Sequence, residues 1–220
     1  MGYRFQPLAK LVFMSKLARK PVSAAIRSNR WLFGTMLAFG SIALIAAFVL
    51  SVEEIHVLKN PAAVLSCSFN LVLDCSKVMQ TWQASVFGFP NMFIGLMAYP
   101  IVIMLAILGL LRVQLPKLFL KIANIGFAGG ALFAYWLFFN SVYAIQILCP
   151  WCLIVTFSTT LILATMTHYN LRHNNFSLSK QRNQMVQSFL NKDFDKLIVA
   201  SWIVLLIVLV VLKFGSALFA

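Results

Sequence analysis

Five long apolar stretches, separated by short polar or basic connections, set the pattern of this chain. Residues 31–52 form the first, 22 positions without Asp, Glu, Lys or Arg. A helix needs about 20 apolar residues to cross a bilayer core, and a signal-peptide core has about 7–15. The stretch therefore predicts an uncleaved signal-anchor helix. The second stretch, residues 92–111, has Pro100 inside it and Gly95 and Gly109 near its ends. Residues 122–171 then hold no Asp, Glu, Lys or Arg across 50 positions. That is too long for one crossing of a core about 30 Å thick. It predicts two spans, residues 118–139 and 143–167, with a turn at Asn140-Ser141. Residues 197–212 are the fifth.

The pattern divides the chain into a basic segment (1–30), a four-span unit (31–167) with a long loop at 53–91, a connection (168–196), and a fifth span with a short tail (197–220). Within 5–26, basic residues interleave with Phe5, Leu8, Leu11, Val12 and Leu17. This segment is either an amphipathic helix lying on the membrane or a basic tail that sets orientation. Gly126 and Gly130 form a small-xxx-small pair, which predicts close helix packing.

Composition agrees. Of the 220 residues, 61% are hydrophobic and 10% are charged, against about 25% charged in a soluble domain. The expected class is an all-α integral membrane protein embedded in lipid. The net charge of +13 resembles a nucleic-acid signal, but its distribution argues otherwise. Seven of the 18 basic residues lie in positions 1–30, and most others fall in alternate connections. That is the positive-inside pattern. It predicts a cytoplasmic N-terminus, places loop 53–91 outside, and leaves no role for nucleic acid.

The same topology puts Cys67, Cys75, Cys149 and Cys152 on the outer side, where thiols can be oxidised. Cys149-Pro-Trp-Cys152 has a physical logic. Cysteines at i and i+3 of a helix share one face, and proline is tolerated in a first turn. A helix N-terminus stabilises a thiolate. So short a loop gains little from a static bridge, which favours redox chemistry over a staple. Cys67 and Cys75 are too far apart for one helical turn, so their loop must fold back for them to pair. A zinc site is disfavoured by this spacing, and no metal is expected. His56, His168 and His173 fall in loops or at span ends and are expected to be solvated rather than to hold haem.

Three segments together, CSFNLVLDCSKV from Cys67, VFGFPNMFIG from Val86 and the late CPWC, resemble the vitamin K epoxide reductase (VKOR) family over about residues 31–167. The resemblance implies a four-helix transmembrane bundle around a quinone, ubiquinone or menaquinone, with a fifth helix beside it. It also implies a role like that of DsbB: a bacterial inner-membrane enzyme that reoxidises a periplasmic DsbA-like thioredoxin-fold protein. Cys67 would meet that partner, Cys75 would exchange with Cys149, and Cys152 would lie nearest the quinone. Asn91 would bond a quinone carbonyl, or else serve as an N-cap before the second span. Thr156 stands where some members carry an aromatic that contacts the quinone. Many bacterial members continue into a fused thioredoxin domain, whereas this sequence ends at Ala220, so a separate partner protein is expected.

Phe87, Ser85 and Tyr135 are further candidates for the quinone pocket. Phe89, Phe93, Trp136, Phe139 and Tyr143 are better read as an interfacial belt, with Trp82 as a cap docked at the interface. Two other functions stay open at this point. One is a quinone or quinone-epoxide reductase with thiol donors. The other is a non-enzymatic membrane protein with two structural disulfides. The resting pairing is also open, with either Cys67–Cys75 or Cys75–Cys149 bridged.

Overall fold

The computed structural model describes residues 22–60, 65–68 and 72–218. The basic segment at 1–21 lies outside the described residues. Among the described residues the protein is all-helical, with one isolated β-bridge. Five helices are long and apolar enough to cross a membrane. They are α1 (Val22–Lys59), α3 (Met92–Leu110), α4 (Lys117–Phe139), α5 (Pro150–Arg172) and α7 (Phe194–Leu218). The short α2 (Cys75–Met79) and a 3-10 turn (Trp82–Ser85) lie between α1 and α3. Helix α6 (Lys180–Asn191) lies between α5 and α7.

Helix α1 is the spine, with α3 and α5 packed along it, and α4 packs on α5. The main core joins Phe33, Met36, Ala43 and Ala47 of α1 to Tyr99, Val102, Leu105 and Ala106 of α3 and Ile162 of α5. Small residues allow this approach. A Cβ at Gly109 would fall 2.3 Å from the Phe33 ring, and one at Gly95 would fall 3.0 Å from Ala47 Cβ. Without a hydrophobic driving force between helices in lipid, such contact is what holds a bundle together. Gly126 and Gly130 are different: a Cβ at either meets nothing within 4 Å. The expectation of close packing there fails, because α4 turns this face toward a cavity.

Several boundaries differ from the hydropathy pattern. Helix α1 runs to Lys59, so Glu53, Glu54 and His56 are helical and do not belong to the loop expected at 53–91. The expected turn at Asn140-Ser141 is instead a wide helical turn, Asn140–Ile145, that continues α4. Asn140 Nδ2 donates to Trp136 O at 2.8 Å and the Ser141 hydroxyl donates to Ile147 O, so neither polar side chain breaks the chain. The reversal comes at Gln146, whose φ of 58° is left-handed. The fourth span starts at Pro150, not at 143, because proline at N1 has no N–H to lose. The connection at 168–196 contains α6 and is not a plain loop.

Nor is His168 a solvated histidine. It pairs with Asp195 and ties α5 to α7. His173 packs at a tilt against Tyr169, 4.5 Å between ring centroids, and contacts Asn29.

Candidate redox centre and cavity

The two cysteine pairs come together because two irregular segments form a parallel bridge, Leu73 with Leu148. Leu148 N donates to Val72 O at 2.7 Å, and Asp74 N donates to Leu148 O at 3.1 Å. Two of the bonded residues immediately precede a cysteine. Leu148 is followed by Cys149, and Asp74 by Cys75. The bridge therefore sets the register of the two cysteines, and Cys75 Sγ lies 3.2 Å from Cys149 Sγ.

Cys75 is already bonded to Cys67, with an S–S distance of 2.10 Å. Cys149 and Cys152 are free thiols. Cys67, Cys75 and Cys149 are at most 2% exposed, and with Leu50, Val57, Leu65 and Met79 they form one apolar cluster. Water is thus kept from the sulfurs while they touch.

Asp74 caps the cysteine helix. Its carboxylate accepts from Ser68 Oγ at 2.6 Å, Ser76 N at 3.0 Å and Lys77 N at 3.4 Å, and Lys77 Nζ is 3.5 Å away. Burial opposes ionisation here. The Ser68 and Lys77 hydrogen bonds and the Lys77 charge outweigh it and hold the carboxyl below its ordinary value. Asp74→Ala removes the cap and should cost about 0.5–2 kcal/mol, read as a lower melting temperature. A depressed carboxyl stabilises above its unfolded value and loses that contribution as pH falls through the folded value. The difference between wild type and Asp74→Ala should therefore be full at neutral pH. It should shrink only below about pH 4.

Cys149 is the N-cap of α5, and its sulfur accepts from Cys152 N at 3.4 Å. The Cys152 thiol, and then the Cys152 and Trp151 amides, lower the Cys149 thiol from its ordinary value despite burial. Cys152, one turn on, is exposed, and what it faces is a cavity rather than bulk solvent.

The cavity measures about 220 Å³ and lies between α1, α3, α4 and α5. Its walls are mainly apolar, from Ala47 and Leu50 across to Phe133 and Leu153. The few polar groups converge. Asn91, Gln83, Thr156, Thr159, Tyr99, Cys149 and Cys152 all line it. A concave apolar site with a few placed polar groups is the usual form of a small-molecule pocket.

Asn91 occupies the N-cap position of α3 but caps nothing. Its Nδ2 donates to Gln83 O at 2.6 Å, and its Oδ1 is buried with no partner. The reverse orientation would set two carbonyl oxygens against each other, so the hydrogen bond fixes which end is free. Thr156 donates its one hydroxyl hydrogen to Cys152 O at 2.9 Å and keeps only acceptor capacity. Thr159 donates to Val155 O at 2.7 Å, so in the 2.9 Å pair with Tyr99 the tyrosine is the donor.

Of the residues expected at the pocket, Asn91 and Thr156 line it with Cys149 and Cys152. Phe87, Ser85 and Tyr135 do not. Phe87 packs on Phe133 and Phe89 outside, and Ser85 is exposed in the 3-10 turn. Tyr135 turns away to Thr160 and receives Trp202 Nε1 at 2.9 Å. Trp82, expected as a cap, is exposed and packs edge-on to Trp136. The sequence reading missed Tyr99, Thr159 and Asp74. A tyrosine inside an apolar span, eight residues after Asn91, was the available signal for Tyr99. Among the described residues no cluster of His, Cys, Asp and Glu could hold a metal ion.

No curated protein and no solved structure matches the chain. The sequence model of the Vitamin K epoxide reductase family matches residues 35–167. That stretch is more than half of the chain, and it contains all four cysteines and Asn91 with the cavity around them, so the chain belongs to the vitamin K epoxide reductase family.

Proposed function

We propose that this multi-pass membrane oxidoreductase is a thiol:quinone oxidoreductase that drives disulfide formation in a periplasmic DsbA-like, thioredoxin-fold partner at the bacterial inner membrane. The family brings membrane oxidoreduction with a quinone in general. One observation carries the finer reading. A disulfide lies in sulfur contact with a thiol pair whose second member opens onto an apolar cavity.

A partner thiolate attacks Cys67, the Cys67–Cys75 bond breaks, and the second partner thiolate completes the partner's disulfide. The Cys75 thiolate attacks Cys149 of an oxidised Cys149–Cys152 pair and releases Cys152. Cys67 then displaces Cys149 from Cys75. This restores the Cys67–Cys75 bridge and leaves two thiols in the CPWC pair. A quinone in the cavity supplies the acceptor for their two electrons and two protons and leaves as hydroquinone. Cys67 is 1% exposed, so partner attack requires the 66–68 turn to lift from α1. The Glu53 carboxylate holds that turn through Ser66 N and Oγ.

The cavity fits such an acceptor. The free Asn91 Oδ1 suits a hydroquinone O–H, and the second Nδ2 hydrogen suits a carbonyl. Helices α3 and α4 each pack on other helices more than on one another, and the exposed Gly126 and Gly130 line the cavity from α4. This side is suited to admit an apolar tail from lipid. Gly130→Leu should raise KM for a long-tailed quinone about tenfold, a 1.4 kcal/mol effect, and change KM for a tail-less analogue little. Equal effects on both would count against lateral entry.

The deciding experiment gives purified protein a reduced thioredoxin-fold dithiol and a soluble quinone and follows quinone absorbance. Sustained dithiol-dependent turnover is expected. Its absence over several quinones and dithiol proteins would overturn the proposal. Free thiols at Cys149 and Cys152 weigh against the alternative of two structural disulfides.

A further inference from the structure

Helix α7 lies beyond the residues that match the family, and yet it packs against the redox centre. Leu206 is 1% exposed and Phe214 is 6% exposed. They form one cluster with Phe138, Val142 and Leu148, and Val72 and Leu73 pack on it. Leu73 and Leu148 are the two bridge residues. Asp195 of α7 meets His168, and Trp202 meets the Tyr135–Thr160 pair, so at about 1.5 Å per residue Phe214 rather than Leu206 reaches the level of Leu148. Through Phe214 the fifth helix joins the cluster that holds the bridge between Cys75 and Cys149.

We infer that α7 is a working part of the thiol relay, with Phe214 as a positioning residue that holds the Leu73–Leu148 bridge in the register needed for exchange between Cys75 and Cys149. This rests on the relay proposed above and adds a component to it. The bridge needs support. It joins two irregular segments by two hydrogen bonds. One of these segments, 146–149, begins at a left-handed residue, Gln146. Backbone bonds fix the direction along the bridge but not its distance from the bundle. Leu148 is fully buried, in one cluster with Phe214 of α7 and with Val142 from the turn that continues α4. Disulfide exchange is sensitive to this. The attacking sulfur must reach the bonded pair at contact distance and in line. A displacement of about 1 Å can slow a positioned reaction by about a hundredfold.

The test needs neither quinone nor partner. In the Cys152→Ala protein, the Cys149 thiolate attacks Cys75. A Cys75–Cys149 bond forms, the Cys67–Cys75 bond breaks, and Cys67 leaves as a thiolate that takes a proton from water. No oxidant is consumed. Full-length protein in detergent is quenched with an alkylating agent at set times, and the Cys75–Cys149 peptide is quantified by mass spectrometry. Adding Phe214→Ala should slow formation of this bond at least tenfold. Phe214→Val should fall between, and Phe214→Leu should restore most of the rate. Trp202→Phe cuts the α7 bond to Tyr135 but leaves the cluster intact, and should change little.

An unaltered rate in Phe214→Ala overturns the inference. So does an equal loss in Trp202→Phe, which would show general loosening of α7. If Phe214→Ala does not fold, the graded Phe214→Val and Phe214→Leu pair decides by the same criterion. Failure to form the Cys75–Cys149 bond with Phe214 intact would count against the relay itself, a result distinct from loss of Phe214 dependence.

Discussion

Cys152→Ala should abolish quinone reduction by a reduced dithiol partner, with turnover falling by about three orders of magnitude or more. That is the scale of loss when a group that acts in every cycle is removed. The reason is positional. Cys152 opens onto the cavity while Cys149 is 2% exposed and faces Cys75. Without Cys152, electrons can reach Cys149 but have no second thiol with which to leave. The variant should fold, since Cys152 is not in a disulfide and its backbone N–H still caps onto Cys149 Sγ. It should also accumulate the Cys75–Cys149 bond, seen as a shifted band on a non-reducing gel. Full turnover in this variant would remove Cys152 from the path and end the proposed order of transfer.

The membrane-crossing character of the chain was legible because lipid imposes one strong rule. Backbone polar groups must be satisfied within the segment, so long apolar runs become helices. The ends of those helices were not legible to the same degree. Hydropathy sees no difference between Tyr143 as the start of a fourth span and as the end of a third. What decides is backbone chemistry: Gln146 in a left-handed turn and Pro150 at a first helical position. Charge alone puts Glu53 and Glu54 in a loop, yet α1 includes them and runs on to Lys59.

The site divides along the same line. Four cysteines in two pairs announce thiol chemistry by residue type alone. Their contact depends on a bridge between Leu73 and Leu148, two residues that carry no chemical signal and lie 75 positions apart. Tyr135 and Phe87 have the right chemistry for a flat ligand but the wrong facing. Tyr135 is engaged by Thr160 and Trp202, and Phe87 by Phe89 and Phe133. Gly126 and Gly130 had the right spacing for helix contact, and line the cavity instead. Side-chain facing depends on helix rotation, and rotation is settled by packing across the bundle.

Asn91→Leu should lower kcat for quinone reduction by about 10²–10³-fold, the range for losing one preorganised hydrogen-bonding group aimed at developing charge. Two effects combine, and they can be separated. The Nδ2 bond to Gln83 O holds the 81–91 segment over the cavity. Breaking it leaves a buried carbonyl unpaired, at a cost of about 1–3 kcal/mol, which appears in the melting temperature. In the proposed reaction the second Nδ2 hydrogen is the donor for charge developing on the acceptor's oxygen, and its loss should appear in kcat. Asn91→Asp keeps an acceptor oxygen and the side-chain shape but cannot donate to Gln83 O. If holding the segment is all that Asn91 does, Asp and Leu should be equally slow, and the slowing should track instability. If the amide acts on the acceptor, Asn91→Leu should be slower than its stability loss explains. The Cys75–Cys149 bond should still form at the normal rate in Asn91→Leu when Cys152 is also Ala, because Asn91 contacts neither sulfur of that exchange. A normal kcat in Asn91→Leu would instead reduce Asn91 to the structural bond it makes with Gln83 and move the search for the acceptor's polar contact to Tyr99 and Thr159, the hydroxyl pair that also lines the cavity.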